Sequence, residues 1–170
     1  QCLRSAKKMQ AATRAGWHCL ELGEETPAAW ANIGNIFLDC NAYQQAFEAY
    51  INAGKLCTDD KWNMQNFLNL AYTCLQRGEL STAARAINCA LSIDMESRLA
   101  LIDYALLLGV TGKTGEAKQE LEKALSLPEK TGDAEDKNTI AFGKSILETL
   151  EKEERIEFPF PGNISFQILP

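Results

Sequence analysis

The six cysteines and the single histidine are the residues best suited to metal or thiol chemistry. A zinc site needs Cys or His ligands at short, defined spacings such as C-x-x-C, and the sequence contains no such pair. His18 stands directly beside Cys19, and neighbouring residues of a helix point in different directions. We therefore expect free cysteines that pack as small hydrophobic side chains, no metal or other cofactor, and a reducing, cytoplasmic location.

Gly112, Lys113 and Thr114 have the types and order found at the end of a phosphate-binding loop. That loop also needs a glycine five residues before the second one, and this position is Leu107. With only one histidine, no Ser-His-Asp arrangement at a plausible spacing is available. The sequence therefore predicts a protein that is not an enzyme.

The charge of the chain excludes two further classes of partner. The net charge is −6 and the isoelectric point is near 4.9, whereas nucleic-acid binding needs clustered Lys and Arg. An acidic surface is also repelled by anionic lipid, and no run of 18 apolar residues is present to cross a membrane. We expect neither nucleic acid nor membrane as a partner.

Three segments of the chain align with each other when the second is shifted by 37 residues and the third by a further 34. Large side chains recur at one set of positions and Gly or Ala at another, which is typical of closely packed helices. The aligned residues are Trp30, Ile33, Gly34, Phe37, Ala46, Tyr50 and Ala53 in the first segment, Phe67, Leu70, Ala71, Cys74, Ala83, Ile87 and Ala90 in the second, and Leu101, Tyr104, Ala105, Leu108, Ala117, Leu121 and Ala124 in the third.

This pattern resembles the tetratricopeptide repeat (TPR), a unit of about 34 residues that forms two helices. The resemblance implies an all-α fold in which antiparallel helix pairs stack into a superhelix. Small residues at the aligned positions then allow the paired helices to approach closely. Asn41, Gly78 and Gly112 mark the turn within each pair, because these residue types end helices.

The alignment places three full repeats at residues 27–60, 64–97 and 98–131. Residues 56–63 are predicted to form a longer loop between the first two repeats, with Thr58, Asp59 or Asp60 as the next N-cap. In that interpretation Trp62 lies just ahead of the second repeat's first helix.

The two ends of the chain differ from the repeats. Residues 1–25 fit part of a preceding repeat or a docking helix, and the start without Met indicates a piece of a longer protein. Residues 133–155 place apolar side chains on one face of a helix and charged side chains on the other. This pattern predicts a helix that caps the array. Residues 156–170 contain Pro and aromatic residues and predict an extended apolar tail. The tail is expected to pack on its own array, on a second copy of the chain, or on a neighbouring domain.

The TPR resemblance also implies that the first helix of each repeat lines a concave groove that holds a peptide. One position of this groove recurs as Asn32, Asn69 and Asp103. An asparagine side chain has both a donor and an acceptor, so a ladder of such residues suits the backbone of an extended peptide. The residues predicted to line the groove are Asn32, Asn35, Asp39, Gln65, Asn69, Tyr72, Gln76 and Asp103.

Co-chaperone TPR domains clamp a partner's C-terminal carboxylate with two Lys, one Arg and two Asn. The resemblance places Asn35 and Asn69 in the two Asn positions, but Ala31 and Leu99 stand in the Lys positions and Asp103 in the Arg position. A carboxylate near Asp103 would be repelled. We therefore expect no carboxylate clamp, and a groove that suits an uncharged, apolar or basic peptide.

Three functions remain open from the sequence. The leading one is a scaffold or adaptor that binds another protein or an extended peptide. The size, acidity and repeat number also resemble the small TPR chaperones of bacterial type III secretion. An auxiliary domain of a larger enzyme complex is the third possibility.

Overall fold

The computed structural model describes residues 7, 10, 11, 13, 14, 18, 25–130, 132–152 and 156. Residues 7 to 18 of this set are helical, and the rest of the prediction for 1–25 lies outside the described residues. Within 25–152 the chain forms seven helices: α1 (Pro27–Asp39), α2 (Tyr43–Leu56), α3 (Asp60–Arg77), α4 (Leu80–Ile93), α5 (Arg98–Val110), α6 (Thr114–Ser126) and α7 (Ala134–Glu151).

The helices form three antiparallel pairs, α1 with α2, α3 with α4 and α5 with α6, followed by α7. The turn within each pair contains one residue with a left-handed backbone, namely Asn41 (φ 58°), Gly78 (φ 76°) and Gly112 (φ 83°). Glycine adopts this conformation without strain, and asparagine tolerates it better than most residues. The all-α array of helix pairs predicted from the sequence is confirmed, and the described part of the chain contains no strand.

The small residues of the alignment lie where the two helices of each pair meet. Ala46, Ala83 and Ala117 are completely buried. The alanines seven residues later on the same helices, Ala53, Ala90 and Ala124, are also completely buried. A larger side chain packs between them in every pair, as Tyr50 does in the first. Burial of these side chains holds each pair together because apolar area is removed from water at close packing density.

Side-chain N-caps fix where four of the helices begin. Thr26, Asp59, Ser97 and Asp133 each accept a hydrogen bond from a backbone N–H in the first turn of the following helix. These caps satisfy donors that have no partner inside the helix. They precede α1, α3, α5 and α7, which are the helices that start each new layer of the array.

The connection between the first two repeats differs from the prediction. Helix α3 begins at Asp60 and has 18 residues, against 13 in α1, so the repeat does not start at residue 64. Asp59, one of the three candidates, is the N-cap, and Trp62 lies inside the first turn rather than ahead of the helix. The extra residues lengthen the helix because the Asp59 carboxylate stabilises its N-terminus one turn early.

Helix α7 covers the end of the array, over the range in which a capping helix is predicted. It buries Phe142, Ile146 and Leu150 against α5 and α6. At the crossing with α5, Gly143 leaves so little space that an added Cβ would lie 3.0 Å from Ile102 Cδ1. Ile156, the first residue of the predicted tail, is also buried and packs against Gly109 of α5. The rest of the tail, 157–170, lies outside the described residues.

A buried ion pair fixes α7 to the third repeat. The Arg98 guanidinium donates to the Asp136 carboxylate, to Ala124 O (3.1 Å), and to Leu127 O (2.6 Å) and Pro128 O (3.0 Å). A backbone hydrogen bond from Lys130 to Asp136 and the contact with Arg98 lower the pKa of Asp136 below 3.8. The ionised carboxylate therefore stabilises the fold above that pH, and its contribution is lost as the pH falls further.

No helix in the described part of the chain combines the length and the apolar composition that crossing a membrane requires.

Replacing Arg98 with Met tests whether this ion pair holds α7 in place. We expect a loss of about 3 kcal/mol or more of unfolding free energy, because Asp136 and several carbonyls are left buried without their donor. Lys113→Met is the matched control, since its pair with Glu116 (3.5 Å) is exposed and such pairs contribute about 0–1 kcal/mol. Urea denaturation followed by circular dichroism measures both. Equal losses in the two variants would contradict a special role for Arg98.

Candidate functional site

The first helices of neighbouring pairs lie side by side. Helix α1 contacts α3, α3 contacts α5, and α5 contacts α7. Among the second helices α2 contacts α4, but no Cα atoms of α4 and α6, both described in full, lie within 8 Å of each other. The first helices therefore form the more continuous layer, and the side of this layer that points away from the second helices is the candidate surface.

Polar side chains with amide groups dominate this surface on α1 and α3. We call it the first-helix face. Its apolar neighbours Leu68 and Leu75 are buried beneath it between the helices, so the polar groups remain at the surface. It consists of Asn32, Asn35, Asp39, Gln65, Asn69, Tyr72 and Gln76, of which the first four are exposed and the last three are half-buried.

On α1, one amide is oriented by the second helix of its own pair. The Tyr50 hydroxyl donates to Asn35 Oδ1 at 2.6 Å. Tyr50 fits there because residue 34 is Gly, and a Cβ at that position would lie only 2.8 Å from Tyr50 Cε1. Burial raises the pKa of the Tyr50 hydroxyl, so it remains a donor at every physiological pH. This hydrogen bond holds the Asn35 amide through its Oδ1 atom.

On α3, hydrogen bonds between successive turns order the polar groups. Gln65 Nε2 donates to Asn69 Oδ1 at 3.0 Å, and Tyr72 shares a side-chain hydrogen bond with Gln76. The pairs are four residues apart, which places their side chains one above the other on a single side of the helix. These hydrogen bonds favour one orientation for the side-chain amides of α3.

Asp103 of α5 corrects the prediction for the third repeat. The sequence places it on an open groove, but in the structure it is only 1% exposed. Its helix neighbours Ile102 and Leu106 are also buried, and α7 packs against Ile102. The first-helix face is thus open on α1 and α3 and closed on α5.

The sequence does contain a signal for this closure. Apart from Arg98 and Asp103, the residues of α5 are apolar or small on every side of the helix. A helix that is apolar all round is a buried helix, so a neighbour on its outer side could have been inferred. The partner of Arg98 could not, since Asp136 is 38 residues away in a segment that the repeat pattern does not include.

This architecture is similar to that of proteins of known structure. No protein-family model matches the sequence. The crystal structure of MamA is similar, with a TM-score of 0.53 and 18% sequence identity, over 88% of this chain and 86% of that chain. A second similar structure is YrrB, described as a TPR protein with an unusual peptide-binding site, with a TM-score of 0.50 and 18% identity over 89% of this chain and 75% of that chain. At this identity the likeness shows the fold alone, and it confirms the TPR architecture predicted from the repeats.

The contact between Gly34 and Tyr50 generates a test of how α1 is positioned. We expect Gly34→Ala to lower the unfolding free energy by about 1–3 kcal/mol, because the added methyl overpacks the helix crossing. In the other pairs Ala71 and Ala105 stand opposite the smaller Ile87 and Leu121.

The same Gly34→Ala change is therefore expected to cost less in a Tyr50→Leu background, which mimics those pairs. A double-mutant cycle by urea denaturation measures the coupling. Additive effects of the two substitutions would show that the ring and the glycine do not constrain each other.

Proposed function

Given this TPR fold, we propose that the protein is a binding module that holds an extended segment of another protein on the first-helix face. It acts as a scaffold or adaptor and not as an enzyme. The observation that carries the proposal is the row of oriented side-chain amides on α1 and α3, above a buried apolar layer. The peptide-binding site named for YrrB adds support by analogy of fold.

The chemistry of the face suits a peptide backbone. An extended strand presents alternating N–H and C=O groups, and each amide side chain offers both an acceptor and donors. Asn32 is exposed on α1 and Asn69 is half-buried at the equivalent position of α3. A chain that crosses both helices would find the same polar group at each step, so the proposed ladder recognises backbone more than sequence.

The surroundings of the ladder argue for a segment without a terminal carboxylate. Ala31, at the first Lys position of a carboxylate clamp, is buried, and Leu99, at the second, is half-buried. Asp39 adds a negative charge at the end of α1. We therefore propose an internal, uncharged, apolar or basic segment as the ligand.

The described cysteines agree with a reducing compartment, and we propose that the protein works in the cytoplasm. Cys40, Cys57, Cys74 and Cys89 are free thiols. Burial raises the pKa of the Cys74 thiol to about 12, so this group is kept as a neutral, unreactive side chain in the core.

Replacing Asn32 and Asn69 with Ala tests the proposal. Ligands are first selected from a displayed library of random dodecapeptides, and affinities of the synthetic peptides are then measured by fluorescence anisotropy. We expect the double variant to bind about fivefold more weakly or worse, since each of the two lost hydrogen bonds is worth about 0.5–1.5 kcal/mol. Its helical circular dichroism is expected to be unchanged because both side chains are at the surface.

The matched control replaces two exposed amides of the second helices, Gln45 and Asn88, with Ala. This variant is expected to bind like the wild type. Unchanged affinity in the Asn32 and Asn69 variant, or an equal loss in the control, would remove the first-helix face as the binding site.

A further inference from the structure

Asp103 is a buried acidic residue whose hydrogen bonding is incomplete in the described structure. It is 1% exposed, and its Oδ1 atom has no hydrogen-bond partner among the described residues. Burial raises the pKa of this carboxyl well above 3.8, and among the described residues no positive charge offsets that effect. An unpaired buried carboxyl costs stability, so its presence at a surface-lining position of the repeat requires an explanation.

The carboxyl lies on the side of α5 that continues the first-helix face. Asp103 occupies the position equivalent to Asn32 and Asn69. Burial is the main cause of the raised pKa of the Tyr72 hydroxyl, and the charge of Asp103 raises it further. Helix α5 packs against α3, which carries Tyr72, so Asp103 lies on the helix next to the open part of the face.

Among the described residues of α5, no cation is available to this acid. Arg98, on the same helix, donates instead to Asp136 and to three backbone carbonyls. The side chains one helical turn from Asp103 are Leu99, Ala100, Leu106 and Leu107. In the described structure the acid is therefore set in an apolar wall with no positive partner of its own.

We propose that Asp103 receives a basic group of the segment held on the first-helix face, either a Lys or Arg side chain or a free α-amino group. This inference rests on the proposed function. Because Asp103 is only 1% exposed, the side chains around it must move apart to admit the group. The aliphatic stem of Lys or Arg packs on the apolar wall while its charged end reaches the carboxylate.

Geometry sets where the basic group lies in the ligand. Packed helices are about 8–10 Å apart, and an extended peptide advances about 3.3 Å per residue. A residue bonded to Asn69 is therefore followed by the basic group roughly three residues further along. The buried acid gives a sequence requirement to a surface whose amides otherwise recognise backbone.

Four immobilised peptide libraries test the inference. All are nonapeptides amidated at the C-terminus and randomised over uncharged residues. Three are acetylated and carry Lys, Arg or norleucine at the centre, and the fourth carries norleucine and a free α-amino group. Retention of wild type, Asp103→Asn and Glu122→Gln is measured, the last being a matched control that removes an exposed charge from α6.

The wild type is expected to be retained at least about tenfold more on one of the cationic libraries than on acetylated norleucine. The cationic library with the highest retention, carrying Lys, Arg or a free α-amino group, identifies the basic group. Asp103→Asn, which is isosteric and buries no charge, is expected to lose the preference, and Glu122→Gln is expected to keep it. Equal retention of the wild type on all four libraries, or a preference that survives in Asp103→Asn, would overturn the inference.

The Asn32 and Asn69 double variant separates this inference from the proposed function. If its retention falls on all four libraries while the wild type shows no cationic preference, the ladder stands and the role of Asp103 is wrong. If its retention equals that of the wild type on every library, the proposed function fails, and the inference fails with it.

Discussion

The close approach of the two helices in each pair is the constraint on which the rest of the structure depends. It is possible because small residues lie in the interior of each pair, with Ala46, Ala83 and Ala117 completely buried. One large side chain per pair, such as Tyr50, then fills the remaining space. Interiors packed at this density tolerate little added volume, so the small residues fix the distance and the angle between the helices.

This packing decides which surface is left for binding. Because the core positions occupy one side of each first helix, the opposite side projects away from the second helices. On α1 and α3 that side carries oriented amides, whereas on α5 it is apolar and is covered by α7 through the Arg98–Asp136 pair. The boundary between the open and the closed part falls between α3 and α5, where side-chain amides at the surface give way to the buried Asp103 carboxyl.

The repeat pattern predicts the fold well because it reports what every pair shares. It gives the helix pairs, the left-handed turn at Asn41 and its equivalents, and the buried small residues. It does not reveal that Asp103 is buried, because a residue's position on a helix does not show what packs against it. Some contacts occur in one repeat, such as Tyr50 with Asn35 and Arg98 with Asp136. These contacts leave no periodic signal in the sequence, so they can be identified only from the structure.

The most direct test of the account is the stability of three single Leu substitutions at Ala46, Ala83 and Ala117. Each is compared with Leu at an exposed position of the same helix, namely Gln45, Asn88 and Gln119. Urea denaturation is expected to show a loss of about 1–3 kcal/mol at each interior position and changes within about 0.5 kcal/mol at the exposed ones. Interior variants as stable as the wild type would contradict the claim that close helix pairing organises this protein.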